Sequence, residues 1–428
     1  MPSNQGPRRP LTVFFSAGEP SGDLHGANLI RALKHRHGEV EAIGFGGPQM
    51  AAAGCRLHAE LTLLAVMGLV RAILNLHKFY AHYRRALRTF RENRPDAVVL
   101  IDFPGFNWWI ARAAKRLGIP VFYFVPPQIW AWARWRVKKM RARVDHVLCS
   151  LPFEQAWYAE RGCHATHIGH PFFDEMPRQR LDDDFVAGFR NDPRPLVAIL
   201  PGSRTQEVVH NTKALLRAAK QVLAAVPEAR FAVAAFKASH AEMVAREAAA
   251  ANLTVNIHVG KTPELIHAAN CCMAVSGSVS LELLYRTKPT VIVYQISRLM
   301  HLAQKVLRKV KYITLVNLLA AKDAFDEDLT LYRADQRDAD RVLFPEYLTC
   351  TDRSREIAGH IVGWLTDPER RAECVASLAE LKARVCHPGA TGNAADYLLK
   401  TLGVTTGRVP RPHFLARDTV GGASAEAA

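Results

Sequence analysis

LTVFFSAGEPSGDLHGANLIRALKHR, residues Leu11 to Arg36, holds the decision about the fold. Leu11 to Ser16 is an apolar run with the length of a buried strand, and from Gly22 to Arg36 the apolar residues recur at helical spacing. Between them SAGEPSGDLHGA, Ser16 to Ala27, places Gly18, Gly22 and Gly26 at intervals of four. A strand that turns through glycines into a helix opens a parallel α/β unit, and the free N–H groups at such a helix start attract anions. A nicotinamide-type GxGxxG needs a different spacing, so the turn does not read as a dinucleotide site. The competing reading is a tight packing turn without a ligand.

The same alternation runs outward from this stretch. Strands are expected at Val40–Phe45, Ala97–Ile101, Val121–Val125 and Val144–Cys149, with helices at Lys78–Glu92 and Trp108–Leu117. Charges and prolines interrupt the pattern from Asp174 to Pro195, which reads as a linker. It restarts with strands at Leu196–Leu200, Phe231–Ala235, Val255–Val259, Cys272–Ser276 and Thr290–Tyr294, and a helix at Glu207–Ala225. Ser354–Leu399 is helical, interrupted near Asp367 and Pro388. The expectation is an α/β protein of two Rossmann-like halves with parallel sheets. Its boundaries are a disordered start at 1–10, a first domain at 11–175, a linker at 176–195, a second domain at 196–370, helices at 371–402 and a disordered tail at 403–428.

The chain has 428 residues, 49% of them apolar, so two globular cores are affordable. A net charge of +16 favours an anionic partner: nucleic acid, an acidic lipid surface or a phosphorylated substrate. Its eight cysteines form no CxxC pair and no zinc spacing, and adjacent Cys271 and Cys272 suit a buried strand. A reducing cytosolic compartment is expected. No apolar h-region follows the basic N-terminus, and no run of about 18 apolar residues occurs, so neither a signal peptide nor a spanning helix is expected.

Three further turns carry chemistry. In VVLIDFPGFN, Val98 to Asn107, Asp102 follows four apolar residues and belongs at the carboxyl end of a central strand, where open sheets bind ligands. It reads equally as a general base for a hydroxyl or as the N-cap of the next helix. In LPGSRTQEV, Leu200 to Val208, Arg204 offers a permanent charge to phosphate, or else pairs with Glu207 at the surface. Ser203 and Gln206 have capping-box spacing there. In VSGSVSLELLY, Val275 to Tyr285, Ser276, Gly277 and Ser278 form a turn suited to a diphosphate, with Glu282 one helical turn on, within reach of a ribose.

Two stretches look like a surface for lipid. Leu61 to Leu76 is apolar with few charges, and Ile129 to Arg143 interleaves Trp130, Trp132 and Trp135 with six Arg and Lys residues. The second also suits single-stranded nucleic acid, or tryptophans packed into the domain beneath a solvated charged face.

Taken together, AGEPSGDLHGA, AVMGLV, IDFPGFN, PPQIWAW, LPFE, IGHPFFD, LPGSRTQEV, SGSVSLE and LVNLLA resemble the lipid-A-disaccharide synthase family, from Leu11 to Leu402. The resemblance implies a GT-B architecture, two Rossmann-like domains facing across a cleft. It implies a metal-independent, cofactor-free, inverting transfer of 2,3-diacylglucosamine from UDP to 2,3-diacylglucosamine 1-phosphate (lipid X). Asp102 matches the family's essential acid, Arg204 the arginine of its PGSR segment, and Asn317 lies in its NLLA stretch near the donor. On this reading Gly202, Ser203, Arg204, Glu207, Ser276, Gly277, Ser278, Glu282 and Asn317 hold the UDP-sugar. Gly18, Glu19, Ser21, Gly22 and Asn107 line the acceptor side, and Val66, Met67, Leu69, Val70 and Leu74 face the membrane. The resemblance also implies a peripheral enzyme on the cytoplasmic face of the inner membrane, and a homodimer whose helices at 371–402 pack on an N-terminal domain of either subunit. Gly105 replaces a second Asp of the family, Ser278 replaces a Thr, and Thr349 stands where the family has Gln. Two rival readings are a UDP-N-acetylglucosamine 2-epimerase, which shares the plan without needing a lipid surface, and a basic nucleic-acid-binding module, which leaves the paired turns and Asp102 without purpose.

Overall fold

A computed structural model describes residues 10–62, 76–336 and 339–404. The membrane-facing expectation at Val66, Met67, Leu69, Val70 and Leu74, and those for the first nine residues and the tail beyond Val404, fall outside the described residues.

The first sheet contains β1 (Leu11–Ala17), β2 (Val40–Gly46), β3 (Cys55–Glu60), β4 (Ala97–Ile101), β5 (Val121–Phe124), β6 (His146–Cys149) and β7 (Ala165–His167). The second contains β8 (Leu196–Leu200), β9 (Arg230–Ala235), β10 (Asn256–Val259), β11 (Cys271–Val275), β12 (Thr290–Gln295) and β13 (Glu346–Thr349). Their orders are β3-β2-β1-β4-β5-β6-β7 and β10-β9-β8-β11-β12-β13. Every pairing is parallel. The central strands β1, β4, β5, β8 and β11 are buried at every residue, which explains their unbroken apolar runs. Cys271 and Cys272 are buried in β11, and all eight cysteines are free thiols.

Strand order reverses between β1 and β4 in one sheet and between β8 and β11 in the other. At the first reversal Ala17 pairs with Ile101, so the Gly18 turn and Asp102 leave the sheet side by side. At the second, Leu200 pairs with Ala274, which brings together the Gly202–Arg204 and Ser276–Ser278 turns. Open sheets bind ligands at such switch points because the diverging connections leave a crevice there.

Three expectations change. The segment 176–195 is not a plain linker: Asp183–Arg190 is a helix whose N-cap Asp182 accepts the Phe185 N–H. Its Phe185 and Phe189 rings pack edge-on to His258 of β10, so apolar residues at helical spacing outweigh the prolines around them. The helix expected from Trp108 starts at Pro104, a residue pre-set for the first helical turn. The tryptophans of Ile129–Arg143 also divide. Trp130 is fully buried and its Nε1 donates to Glu154 at 2.8 Å, whereas Trp132 and Trp135 are exposed and Arg136 stacks 4.6 Å from the Trp132 ring.

The C-terminal region forms helices Ser354–Thr366, Pro368–Val385 and Ala390–Thr401. A fourth expectation changes too: of the helices expected at 371–402 to pack on an N-terminal domain, only Ala390–Thr401 does so, along Pro20–His37, whereas Pro368–Val385 stays against helices of the second half. Ala394, Ala395, Leu398 and Leu399 share one core with Leu29, Ile30 and Leu33. Asp174 caps the returning helix: its carboxylate accepts the N–H groups of Gly389, Ala390 and Thr391. Arg36 adds an ion pair to Asp396 at 2.6 Å.

Candidate active site

Asp102 and Phe103 are consecutive non-glycine residues with φ of 44° and 45°, in the left-handed region. Such a conformation costs about 1–3 kcal/mol per residue and persists only when surrounding bonds enforce it. Those bonds are present. The Asp102 carbonyl accepts from Asn107 Nδ2 at 2.8 Å and from Tyr123 Oη at 2.6 Å. Asn107 Oδ1 accepts from Ser16 Oγ at 2.7 Å, and its Nδ2 also reaches the Ser16 carbonyl at 3.1 Å. Asn107 thus ties the end of β1 to the end of β4. Gly18 completes the turn, because a Cβ there would lie 2.3 Å from the Phe103 ring.

The N-cap of the helix Pro104–Arg116 is Phe103, with no side-chain cap bond, so the Asp102 carboxyl is not a cap. Burial pushes its pKa up to about 6; the Glu19 charge pushes the same way, while the Phe103 N–H and the Arg204 charge pull it down. A carboxylate with a pKa near 6 is ionised at neutral pH yet basic enough to take a proton.

Asn107 was expected on the acceptor side, but it is fully buried and its amide is bonded inside the fold. Its place is structural support for Asp102. Asn107→Leu should strand the buried Ser16 hydroxyl, at about 1–3 kcal/mol, and leave the Asp102 carbonyl held by Tyr123 Oη alone. Thermal melting checks the stability loss, and a fall in turnover larger than any change in KM checks the link to Asp102. Gly22 is similarly buried, and a Cβ there would lie 3.5 Å from the Ile101 side chain, while Ser21 is exposed.

On the second half, Gly202 has φ of 109° and a Cβ there would lie 2.7 Å from Glu207. The helix Thr205–Ala225 starts one residue later than a Ser203 cap requires. Arg204 is the N-cap, and Glu207, not Gln206, turns back to accept the N–H groups of Ser203 and Arg204, each at 3.1 Å. The carboxylate outcompetes the amide because charge-assisted bonds are stronger. The Arg204 guanidinium pairs with Glu207 at 3.2 Å and lies 3.9 Å from Glu19 of the first half. Its side chain is 71% exposed, so it remains accessible to an anion. The two switch points therefore face each other, with Glu19 and Arg204 as the contact.

Gly277 and Ser278 are exposed at the end of β11, and a Cβ at Gly277 would meet nothing within 4 Å. Ser276 Oγ donates to the Ile313 carbonyl at 3.1 Å. Glu282, expected to reach a ribose, is buried and paired with Arg286 at 3.1 Å. Asn317, expected near the donor, is buried too: Nδ2 donates to the Phe344 carbonyl and to Glu346 Oε2, and Oδ1 accepts the Phe344 N–H. Glu346 also accepts from the Ile313 and Thr314 N–H groups and the Thr314 hydroxyl. Burial pushes its pKa up to about 7. This network fixes the segment against which Ser276 is held.

Tyr123, Ser16, Glu346 and Thr314 were missed from the sequence. The signal for Tyr123 is a hydroxyl within the otherwise apolar VFYF of β5. That for Glu346 is a carboxylate on a buried strand. Asp326 and Asp328 form a local loop in which Asp328 accepts the Thr330 N–H and pairs with Lys311.

The sequence pattern of the family described as lipid-A-disaccharide synthetase matches residues 13–352. The chain belongs to the lipid-A-disaccharide synthase family. A lipid-A-disaccharide synthase of Anaeromyxobacter sp. (strain K) is 32% identical over 394 residues, covering 92% of this chain and 98% of that one. That of Myxococcus xanthus is 30% identical over 398 residues, with the same coverage. Among solved structures, the Staphylococcus aureus MnaA–UDP co-structure superposes with a TM-score of 0.61 at 10% identity, covering 92% and 97% of the two chains. Acinetobacter baumannii MurG gives 0.52 at 14%, covering 91% and 99%. A Listeria monocytogenes protein described as a UDP-N-acetylglucosamine 2-epimerase gives 0.58 at 10%, covering 92% and 95%. These likenesses establish the GT-B fold. Epimerases and glycosyltransferases share it, so membership of the lipid-A-disaccharide synthase family, not the fold, decides against the epimerase reading.

Proposed function

We propose that this glycosyltransferase of lipid A biosynthesis moves 2,3-diacylglucosamine from UDP to the 6-hydroxyl of 2,3-diacylglucosamine 1-phosphate. The products are lipid A disaccharide 1-phosphate and UDP. The observation that carries the mechanism is Arg204 at one switch point lying 3.9 Å from Glu19, beside Asp102 at the other.

The donor diphosphate sits against the turns Gly202–Arg204 and Gly277–Ser278, whose N–H groups and arginine suit an anion. Asp102 takes the acceptor hydroxyl proton while that oxygen bonds to the anomeric carbon. The bond from that carbon to the UDP oxygen breaks in the same displacement, so the anomeric configuration inverts. Arg204 offsets the charge that gathers on UDP. Asn107, Tyr123 and Gly18 hold the Asp102 turn in place, and Asn317 with Glu346 holds the wall behind Ser276.

Because both substrates carry acyl chains, the enzyme works as a peripheral protein at the cytoplasmic surface of an inner membrane with anionic lipid. Among the described residues no helix is long and apolar enough to cross a membrane. A homodimer is part of the proposal, to be measured by light scattering. The test is a transfer assay with UDP-2,3-diacylglucosamine and lipid X, read by mass. Disaccharide 1-phosphate and UDP in equal amounts support the reading; an epimer formed from the UDP-sugar alone refutes it.

A further inference from the structure

The helix Arg298–Leu307 is built inside out. None of its residues is buried. Leu299, Leu302 and Val306, at i, i+3 and i+7, form one stripe that is 79%, 64% and 71% exposed, and Met300 and Leu307 widen it. These five are close to half of the twelve large hydrophobic residues exposed among the described residues. The half-buried face is the polar one. His301 and Gln304 turn inward, and Arg308 just beyond the helix bonds Gln304 and the carbonyls of Val310, Lys311 and Leu329. A surface helix of a water-soluble domain has the opposite arrangement.

The surroundings extend the apolar stripe and edge it with positive charge. Arg298 and Lys305 lie along one flank, Lys309 follows, and the helix carries no acid. The acidic loop behind it is partly neutralised, since Asp328 pairs with Lys311. Lys309 N–H donates to the Ala131 carbonyl at 2.8 Å, and Arg134 reaches the Lys309 carbonyl at 2.6 Å. The helix therefore abuts the segment that exposes Trp132 and Trp135 beside Arg136. At its other end, Ser297 and exposed Val209 line a cavity of about 290 Å³ together with His210, Lys213 and Arg217.

An exposed apolar stripe bordered by Lys and Arg, next to solvent-facing tryptophans, has the make-up of an element lying in a bilayer interface. We propose that Arg298–Leu307 is an interfacial helix that inserts its leucine stripe into an anionic phospholipid surface, so that the donor half as well as the acceptor half rests on the membrane. The proposal deepens the reading that the substrates are lipids and rests on it. It commits to the bilayer because the cationic flank complements anionic headgroups. Such a flank would repel the same flank of a second copy.

The test is co-sedimentation of the full chain with phosphatidylglycerol–phosphatidylcholine vesicles, about one third anionic, and with phosphatidylcholine alone. The triple variant L299E/L302E/V306E should lose on the order of tenfold or more in partitioning. R298E/K305E should lose the preference for anionic vesicles. Both variants should melt as the parent does, since every substituted side chain is exposed, and should keep its transfer rate on detergent-dispersed substrates. Undiminished sedimentation of the triple variant overturns the proposal. So does a change from dimer to monomer with vesicle binding kept, which assigns the stripe to a second copy. A raised KM for the acylated donor in detergent with vesicle binding kept assigns it to substrate chains, and also overturns it. If the parent protein transfers no sugar in detergent, the functional reading fails while the sedimentation result is still read on its own.

Discussion

Asp102→Asn should lower the transfer rate by about 10²- to 10⁴-fold, the usual contribution of a positioned general base. Asn is the informative replacement because it tolerates the left-handed backbone that Asp102 adopts and keeps the side chain's shape. The same change should raise stability. A carboxyl whose folded pKa is raised to about 6 from 3.8 disfavours the folded state once it is ionised. Its contribution is fully favourable below about pH 4 and is lost as pH rises through about 6. At neutral pH the neutral amide should therefore gain up to about 3 kcal/mol, at 1.36 kcal/mol per pKa unit. Melting curves at pH 7.5 and pH 4, as round values spanning about pH 4 to 8, should show that gain shrinking toward acid. A variant that melts higher and turns over slowly marks a group kept for chemistry at the expense of the fold. Near-parental turnover would remove Asp102 from the reaction.

The pH profile adds a sign. Turnover should fall on the acid side with an apparent pKa near 6, as the base becomes protonated. Glu19→Gln should move that limb to lower pH, since the Glu19 charge raises the Asp102 pKa. Arg204→Ala should move it to higher pH, since the guanidinium lowers it. Opposite displacements from two neighbours identify Asp102 as the titrating group, because a base elsewhere would feel neither.

The second large effect is expected at Arg204. Arg204→Ala should reduce turnover by about 10²- to 10³-fold, the cost of removing one donor aimed at charge that grows in the transition state. Its side chain is mostly exposed and its ion pairs are to Glu207 and Glu19, so stability should change little. Arg204→Lys should recover part of the rate, with the charge restored but not the planar fork. Single-turnover rates with saturating donor separate this loss from weaker UDP binding. An alanine variant altered only in KM would assign Arg204 to ground-state binding.

Much of this arrangement was legible in the sequence because it depends on runs and turns. The apolar strands and the chemistry-bearing turns that follow β1, β4, β8 and β11 could be read, whereas the strand orders that make two switch points of them could not. Short edge elements were not legible. β3 has one buried residue and β7 has three residues in all, too few for a period to show. Asn107 and Asn317 could be singled out as polar residues in motifs, but not placed. What buries them is bonding to groups far along the chain, Ser16 at a separation of 91 residues and Glu346 at 29. Spacing within a motif carries no trace of such partners. Trp130 and Trp132 illustrate a signal passed over, since residues two apart on a helix point to nearly opposite sides. Arg298–Leu307 drew no reading from the sequence, and only the fold shows its leucines exposed while His301 and Gln304 turn inward.

The returning C-terminal helix sets a timetable for synthesis. Leu29, Ile30 and Leu33 are translated early, whereas Ala394, Ala395, Leu398 and Leu399 that cover them come near the end. The Asp174 carboxylate waits for the Gly389 amide 215 residues later. At ribosomal rates of about 5–20 residues per second, that delay is roughly 10–40 s. For that interval the nascent first sheet carries an oily helix face that nothing on its own side of the chain will cover, which makes it a natural client for a holding chaperone.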